Sequence, residues 1–327
     1  MAARGPVGRP HQSEEEEGVA ALAAPRPLLP AGLLPVTPRQ IAAALASVGA
    51  APRGRPPLDP AASGYGICLS LPAWVAEHAG SKVPRSFRRV GLRIQACLLV
   101  HLQLDDDEVD GQAQLPLRVQ PGHYLREAEL DLRLLLGRRD EAFWPGWRGL
   151  LLRQRRARDW ELAVRFPPPL PFDAQLKRRL SEKAAVLRWP ALAAQAFGRD
   201  AGAELDEPLR RVLAATMLLD DLADVDEDLQ RGQVNAVLCA AGARKPTTRQ
   251  LVAGAAAVID HVRRELRWIG SATRSGSLRR FCERTSAALL EGKRAFAAER
   301  DAGLHRNLSA LFAARASTPT RGQPSDS

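Results

Sequence analysis

The sequence predicts an all-α protein built around one large helical domain. Apolar residues recur at helical spacing in several long segments, and no segment alternates apolar and polar residues in the manner of a strand. The 327 residues are 45% hydrophobic, which gives enough chain and apolar surface for one substantial core. No apolar run reaches the length of about 18 residues that a membrane span needs, so no transmembrane segment is predicted.

The two ends of the chain differ from its middle. Residues 1–60 are rich in proline and alanine and carry the acidic run Glu14–Glu17, which predicts a disordered arm with one short helix from Gln40 to Val48. The same glutamates and prolines disfavour a signal or transit peptide, so a cytoplasmic protein is expected. Residues 61–315 are the predicted helical domain, and residues 316–327 are a predicted disordered tail.

The first half of the domain contains four amphipathic or apolar segments. Triple proline from Pro167 ends the third, and Pro190 is expected to kink the fourth. The predicted helices are Val90–Asp110, Tyr124–Leu136, Trp147–Phe166 and Asp173–Ala196.

Capping residues delimit the helices of the second half. Asp206 is predicted to be an N-cap, with Pro208 in the first turn and Gly232 at the end of that helix. Two later helices are predicted in the same way, one from Thr247 or Thr248 to Gly270 and one from Ser277 to about Arg300.

The charge and the cysteines exclude several classes of protein. The net charge is +10, but 42 of the 47 basic residues are arginine, which indicates a compositional bias and not a nucleic-acid surface. Nucleic-acid binding remains an alternative function, which only the positive net charge supports. The four cysteines are far apart and form no CxxC pair, which excludes a disulfide scaffold and a recognisable zinc site.

Two acidic clusters follow apolar helices and share one pattern. They are Asp105–Asp110, after the apolar run to Leu104, and Asp220–Asp228, after the apolar run to Leu219. Both contain Asp-Asp-x-x-Asp, formed by Asp106, Asp107 and Asp110 in the first and by Asp220, Asp221 and Asp224 in the second, which Asp228 extends.

Carboxylates at this spacing indicate a magnesium site. Residues i and i+4 share a helix face, so Asp220, Asp224 and Asp228 are expected to form a self-repelling stripe. Mg²⁺ relieves such repulsion, since it takes one or two carboxylates and completes its shell with water and phosphate oxygens. Two facing clusters would therefore hold a diphosphate between metal ions. The alternative is a pair of solvated helix ends.

These segments resemble the class I isoprenoid synthases, the all-α family of trans-prenyl diphosphate synthases, terpene cyclases and squalene/phytoene synthases. The likeness covers roughly residues 65–310, and Leu219–Asn235 (LDDLADVDEDLQRGQVN) resembles the second aspartate-rich motif. His101–Asp110 (HLQLDDDEVD) resembles the first motif, and Ser181–Gly198 resembles the segment whose lysine contacts diphosphate. The resemblance implies a helical bundle around a central cavity and, since dimers are common in one branch, a homodimer.

The resemblance also implies roles for individual residues. A prenyl diphosphate would be ionised by Mg²⁺, for prenyl transfer or cyclisation, with Lys183 and Arg231 binding the diphosphate. Asp106, Asp110, Asp220 and Asp224 are the implied catalytic residues, and the implied metal ligands are Asp106, Asp107, Asp110, Asp220, Asp221, Asp224 and Asp228.

The sequence departs from the chain-elongating enzymes in one respect. Those enzymes follow the first motif with paired arginines, whereas Gly111–Gln114 follows Asp110 here and the next arginine is Arg118. A non-catalytic relative that partners an active synthase is therefore the alternative function.

Overall fold

The computed structural model describes residues 34–48, 65–109, 121–139, 141–164, 170–243 and 245–301. Side-chain positions are described for these residues except 65, 106–109, 121, 199–201 and 295–301. The described part of the chain is helical and contains no strand, which confirms the all-α prediction. Among its helices, none is both long and apolar enough to cross a membrane.

Twelve α-helices run through the described residues. They are α1 (Pro38–Ser47), α2 (Tyr65–Ala79), α3 (Phe87–Val109), α4 (Pro121–Leu136), α5 (Phe143–Ala163), α6 (Ala174–Lys183), α7 (Trp189–Phe197), α8 (Arg199–Ala223), α9 (Val225–Arg231), α10 (Ala236–Ala241), α11 (Thr248–Ala272) and α12 (Gly276–Asp301). Helix α8 packs against α2, α6, α7, α10 and α11, while α3 packs against α1, α2 and α4.

Close packing of α2, α3 and α7 fixes the centre of the core. Trp189 is fully buried, and its indole Nε1 donates to Oε1 of the fully buried Gln95 over 2.7 Å. A Cβ added at Gly91 would lie 2.8 Å from Cβ of Pro72, so only glycine lets α3 approach α2 this closely. The apolar faces of these helices thus meet with little free space, as in other protein interiors.

The prediction that α8 begins at Asp206 is wrong. The helix begins at Arg199, and Pro208 lies inside it. Asp206 does not cap a helix, because its carboxylate pairs with Arg188, whose guanidinium is almost completely buried. A long-range ion pair has therefore replaced the local hydrogen bond that the sequence suggested.

Two further boundaries differ from the prediction. The segment from Asp173 to Ala196 is interrupted well before Pro190, since α6 ends at Lys183 and a 3₁₀ turn precedes α7. Helix α12 begins at Gly276, and the hydroxyl of Ser275, not Ser277, accepts from the backbone N–H of Leu278. The predicted cap Thr247 accepts the expected backbone hydrogen bond, and Asp173, with which the sequence begins a helix, caps α6 in the same way.

Helix α1 lies within the range for which the sequence predicts a disordered arm. A capping box of Thr37 and Gln40 starts the helix, and Ile41 and Ala44 are buried in the core. This helix corresponds to the short one that the sequence predicts from Gln40 to Val48, and its buried residues pack on the core instead of belonging to a disordered arm. The rest of 1–60 and the tail 316–327 lie outside the described residues.

Candidate functional site

The second acidic cluster lies where α8, α9 and α10 meet. The continuous helix expected through Asp224 is broken there, because Asp224 ends α8 and precedes α9. Backbone hydrogen bonds still run from Asp224 N to Asp220 O (3.0 Å) and from Asp228 N to Asp224 O (2.9 Å). The i, i+4 relationship of the three aspartates therefore survives the break.

The second aspartate of the cluster is turned towards the neighbouring helix. Oδ2 of Asp221 accepts from the backbone N–H of Ala236 over 2.8 Å, at the start of α10. Asp221 therefore helps to join α8 to α10, while Asp220 and Asp224 are exposed to solvent. Of the expected metal ligands, Asp221 therefore faces the protein interior, whereas Asp220 and Asp224 face the solvent.

Asn235 connects these carboxylates. The residue is fully buried, and its side-chain Nδ2 donates to the backbone oxygen of Asp221 (2.7 Å) and to Oδ2 of Asp228 (2.8 Å). Its Oδ1 accepts from Val237 N (2.8 Å), which makes Asn235 the N-cap of α10. One amide group therefore fixes the end of α8, the middle of α9 and the start of α10.

The cluster is electrostatically strained, as its sequence predicts. Desolvation, and then repulsion by Asp220 and Glu227, raise the pKa of Asp224 to about 7, although its exposure to water partly screens the effect. Burial raises the pKa of Asp228 to about 6 despite the hydrogen bond from Asn235. Burial also raises the pKa of Asp221 well above its ordinary value.

Lys183 lies close to this cluster. Its Nζ donates to Oε1 of Glu161 on α5 over 2.7 Å. Its positive charge partly offsets the rise that burial causes in the pKa values of Asp221 and Asp228. Since α6 packs on α8, the fold brings this lysine to the second cluster.

Arg231 is the last residue of α9, at the end of the same cluster. The side chain is exposed and pairs with Glu227 over 2.5 Å, one turn back along α9. Its charge lowers the pKa of Asp224, so it is within electrostatic reach of that carboxylate. Gly232 follows in the left-handed conformation and ends α9, as predicted.

The first acidic cluster is described only at its beginning. The side chains of Asp106 and Asp107 and the whole of Asp110 lie outside the described residues. Asp105 is described, and its carboxylate pairs with the guanidinium of Arg158 on α5. Nε of Arg158 is buried and has no hydrogen-bond partner among the described residues.

Helix α5 therefore lies between the two clusters. Arg158 and Glu161 are three residues apart and share a helix face. Arg158 reaches Asp105 at the end of α3, and Glu161 reaches Lys183 beside the second cluster. This is the only connection between the clusters that the described side chains reveal.

Metal binding requires oxygen ligands that the second cluster can supply. No three carboxylate, imidazole or thiol groups converge on a metal position among the residues whose side chains are described. Mg²⁺ does not require three, because one or two carboxylates with water and phosphate oxygens complete its shell. The exposed carboxylates of Asp220 and Asp224 fit that requirement, with their mutual repulsion as the reason to bind a cation.

A cavity of about 670 Å³ lies elsewhere, between α1, α2 and the first two turns of α3, with Asp131 of α4 in its wall. Its wall includes Leu69, Arg89 and Arg93. Arg89 and Asp105 are 16 residues apart on α3, which corresponds to about 24 Å along a helix. This cavity is therefore at the opposite end of α3 from the acidic residues.

Sequence reasoning missed Asn235, Arg158, Glu161 and the ion pair of Asp105. Asn235 carried a usable signal, because asparagine three residues after the glycine that ends α9 is a favoured N-cap. Arg158 and Glu161 are single charged residues in an arginine-rich amphipathic helix, and nothing in the sequence set them apart from their neighbours.

Comparisons of this chain with protein-family models, with curated proteins and with solved structures gave no match. The all-α class and the geometry above are therefore the basis for assigning a function.

Proposed function

We propose that this protein is a Mg²⁺-dependent enzyme of the class I isoprenoid type that binds and ionises a prenyl diphosphate. The observation that carries the proposal is the position of Lys183, one of only five lysines in the chain, beside Asp221 and Asp228. A cation beside strained carboxylates is the arrangement that a metal-bound diphosphate needs, because each partner offsets the other's charge.

The residues of this site have separable roles in the proposal. Asp220 and Asp224 hold the metal from the second cluster, and Asp106, Asp107 and Asp110 remain predicted ligands from the first. Bound Mg²⁺ supplies Lewis-acid stabilisation of the negative charge on the departing diphosphate. Asp221 and Asp228 are held by backbone and side-chain hydrogen bonds, and they fix the position of the exposed carboxylates.

Three cations bind the diphosphate oxygens in this scheme. Lys183 and Arg231 flank the second cluster, and Arg158 lies beside Asp105 of the first. The buried Nε of Arg158, which has no hydrogen-bond partner among the described residues, supports its inclusion, since a phosphate oxygen would satisfy that donor. Release of a prenyl cation from the held diphosphate then leads to prenyl transfer or cyclisation.

The test is a product assay with Mg²⁺ and allylic diphosphates of ten, fifteen and twenty carbons, with and without isopentenyl diphosphate. Longer diphosphates indicate elongation, and a hydrocarbon or alcohol without isopentenyl diphosphate indicates a cyclase. Asp220→Asn and Asp224→Asn are expected to abolish turnover. Asp226→Asn is the matched control, because it removes a carboxylate that lies outside the i, i+4 series of Asp220, Asp224 and Asp228.

Two results would contradict the proposal. Absence of both turnover and Mg²⁺-dependent diphosphate binding removes the site altogether. Binding that is lost in Asp220→Asn, without turnover of any substrate, instead supports the non-catalytic partner subunit.

A further inference from the structure

Exposed leucines and arginines share one side of α4 and α5. Leu130 and Leu134 on α4 expose 55% and 81% of their surface, and Leu152 on α5 exposes 48%. These are three of the five large hydrophobic residues that are exposed in the described part of the chain. Leu130 and Leu134 lie one turn apart on α4 and form a continuous exposed apolar strip, which indicates a surface with a partner.

Two side-chain contacts indicate how α4 and α5 are oriented where they meet. Trp147 Nε1 donates to Glu129 Oε1 over 2.9 Å, and the Arg133 guanidinium lies 4.5 Å from the ring centre of Trp144. Because the lower-numbered residue of α4 contacts the higher-numbered residue of α5, the two helices run in roughly opposite directions where these side chains meet. Glu129 and Arg133 thus form the face of α4 that meets α5.

The outward rows of the two helices face the same side of the molecule. Leu130 and Leu134 each follow a contact residue of α4, and Arg148 follows the contact residue Trp147 of α5. Each residue is turned by about 100° from the one before it around the helix axis. When two antiparallel helices are viewed from one end, this turn is clockwise in one helix and anticlockwise in the other. Both rows are therefore turned to the same side, away from the core.

Each outward row combines leucine with arginine at i, i+4 spacing. On α4 the row is Arg126, Leu130 and Leu134, and on α5 it is Arg148, Leu152 and Arg156, all exposed. No ion pair of these three arginines is present among the described residues. We call these six residues the α4/α5 face.

We infer that the α4/α5 face binds the surface of an anionic lipid membrane. Leucines on two adjacent helices can enter the boundary between headgroups and acyl chains, while arginines keep their guanidinium groups at the lipid phosphates. Clustered basic residues gain further attraction from the negative surface potential of such a membrane. The net charge of +10 acts in the same direction.

The composition of the face favours this partner over two others. A second copy of the chain would bring arginine rows against arginine rows, with Asp159 as the nearest exposed carboxylate along the α5 row. Nucleic acid would satisfy the arginines and leave the leucines in water. The inference does not rest on the proposed function.

The test is co-sedimentation of the full chain with two kinds of vesicle, equimolar phosphatidylcholine and phosphatidylglycerol, or phosphatidylcholine alone. We expect the protein to pellet with the anionic vesicles only, and less so as salt shortens the Debye length from about 10 Å at 0.1 M to about 3 Å at 1 M. Leu134→Asp should weaken partitioning about tenfold or more, because it removes buried apolar area and adds a repelled charge.

Matched variants separate this face from a general charge effect. Ala287→Asp adds the same charge on the exposed surface of α12, whose main neighbours are α11 and α2, and should bind like the wild type. Arg148→Glu with Arg156→Glu should also lose binding, whereas Arg280→Glu with Arg284→Glu on α12 should retain most of it.

Three outcomes would overturn the inference. One is the absence of pelleting with anionic vesicles by folded wild-type protein. Another is equal binding by Leu134→Asp and Ala287→Asp, with unchanged circular dichroism in both. The third is a dimer in sedimentation velocity that Leu134→Asp converts to a monomer, without vesicle binding, which would assign the face to a second copy.

Discussion

The side-chain amide of Asn235 donates to the carboxylate of Asp228 over 2.8 Å, seven residues back along the chain. The same amide holds the backbone oxygen of Asp221, and its oxygen caps α10. Asn235 therefore does more than cap a helix. Its hydrogen bond stabilises the charged form of Asp228, which burial destabilises.

Asn235→Ala should therefore cost more than the loss of an ordinary N-cap. We expect a decrease of about 2–4 kcal/mol in the free energy of unfolding, since the cap and two part-buried hydrogen bonds disappear together. The matched control is Thr247→Ala, which removes the exposed N-cap of α11 and should cost about 1 kcal/mol. Urea denaturation measures both, and equal losses would contradict a role beyond capping.

The proposed diphosphate contact of Lys183 can be separated from general charge on α6. Lys183→Met should weaken Mg²⁺-dependent binding of inorganic diphosphate about tenfold to a hundredfold, as for the loss of one charge-assisted hydrogen bond. Lys177→Met is the control on the same helix, because that ammonium lies over the Phe172 ring, 4.5 Å from its centre. Isothermal titration calorimetry compares the two, and a similar loss in both variants would argue against a specific contact.

Much of the fold followed from periodicity and capping residues. The helices α3, α4, α5 and α11 occur close to where the apolar patterns predict them, and Thr247 caps as expected. Asp206 failed as a cap because its partner, Arg188, is distant in sequence and is supplied by another part of the fold. Local rules cannot anticipate such competition.

The site was predicted less completely than the fold. The spacing of the aspartates suggested a stripe, and the backbone hydrogen bonds keep the i, i+4 relationship through a break at Asp224 that no residue pattern announced. The proximity of Lys183 to Asp221 and Asp228 depends on the packing of α6 against α8. Arg158 became visible only through its pairing with Asp105.

Two helical glycines should respond in opposite ways to alanine. Gly91→Ala should destabilise the protein by about 1–3 kcal/mol, because its new Cβ would lie 2.8 Å from Cβ of Pro72 and 3.2 Å from Cη2 of the Trp189 ring. Gly149→Ala on α5 should stabilise it by up to about 1 kcal/mol, since nothing lies within 4 Å of that position. Thermal and urea unfolding measure both signs, and stabilisation by Gly91→Ala would show that α2 and α3 are less closely packed.

His261 should make the protein less stable in mild acid. Burial first, and then the nearby charge of Lys177, lower the pKa of His261 to about 4. The side chain is only 13% exposed and packs edge-on against the Phe172 ring, and this burial outweighs the Glu265 carboxylate 3.7 Å from Nε2, which favours the proton. The unfolded chain, with the ordinary value of about 6.5, binds a proton at higher pH than the folded chain does.

The stability from neutral His261 is therefore fully present above about pH 6.5 and is lost as the pH falls towards the folded pKa of about 4. From pH 7.5 to pH 5 the loss should be about 2 kcal/mol by linkage. His261→Gln should remove that part of the pH dependence. The difference in the free energy of unfolding between the wild type and the variant should therefore shrink as the pH falls. Titration of the imidazole by NMR gives an independent measurement, and an apparent pKa above 6.5 would reverse the predicted sign.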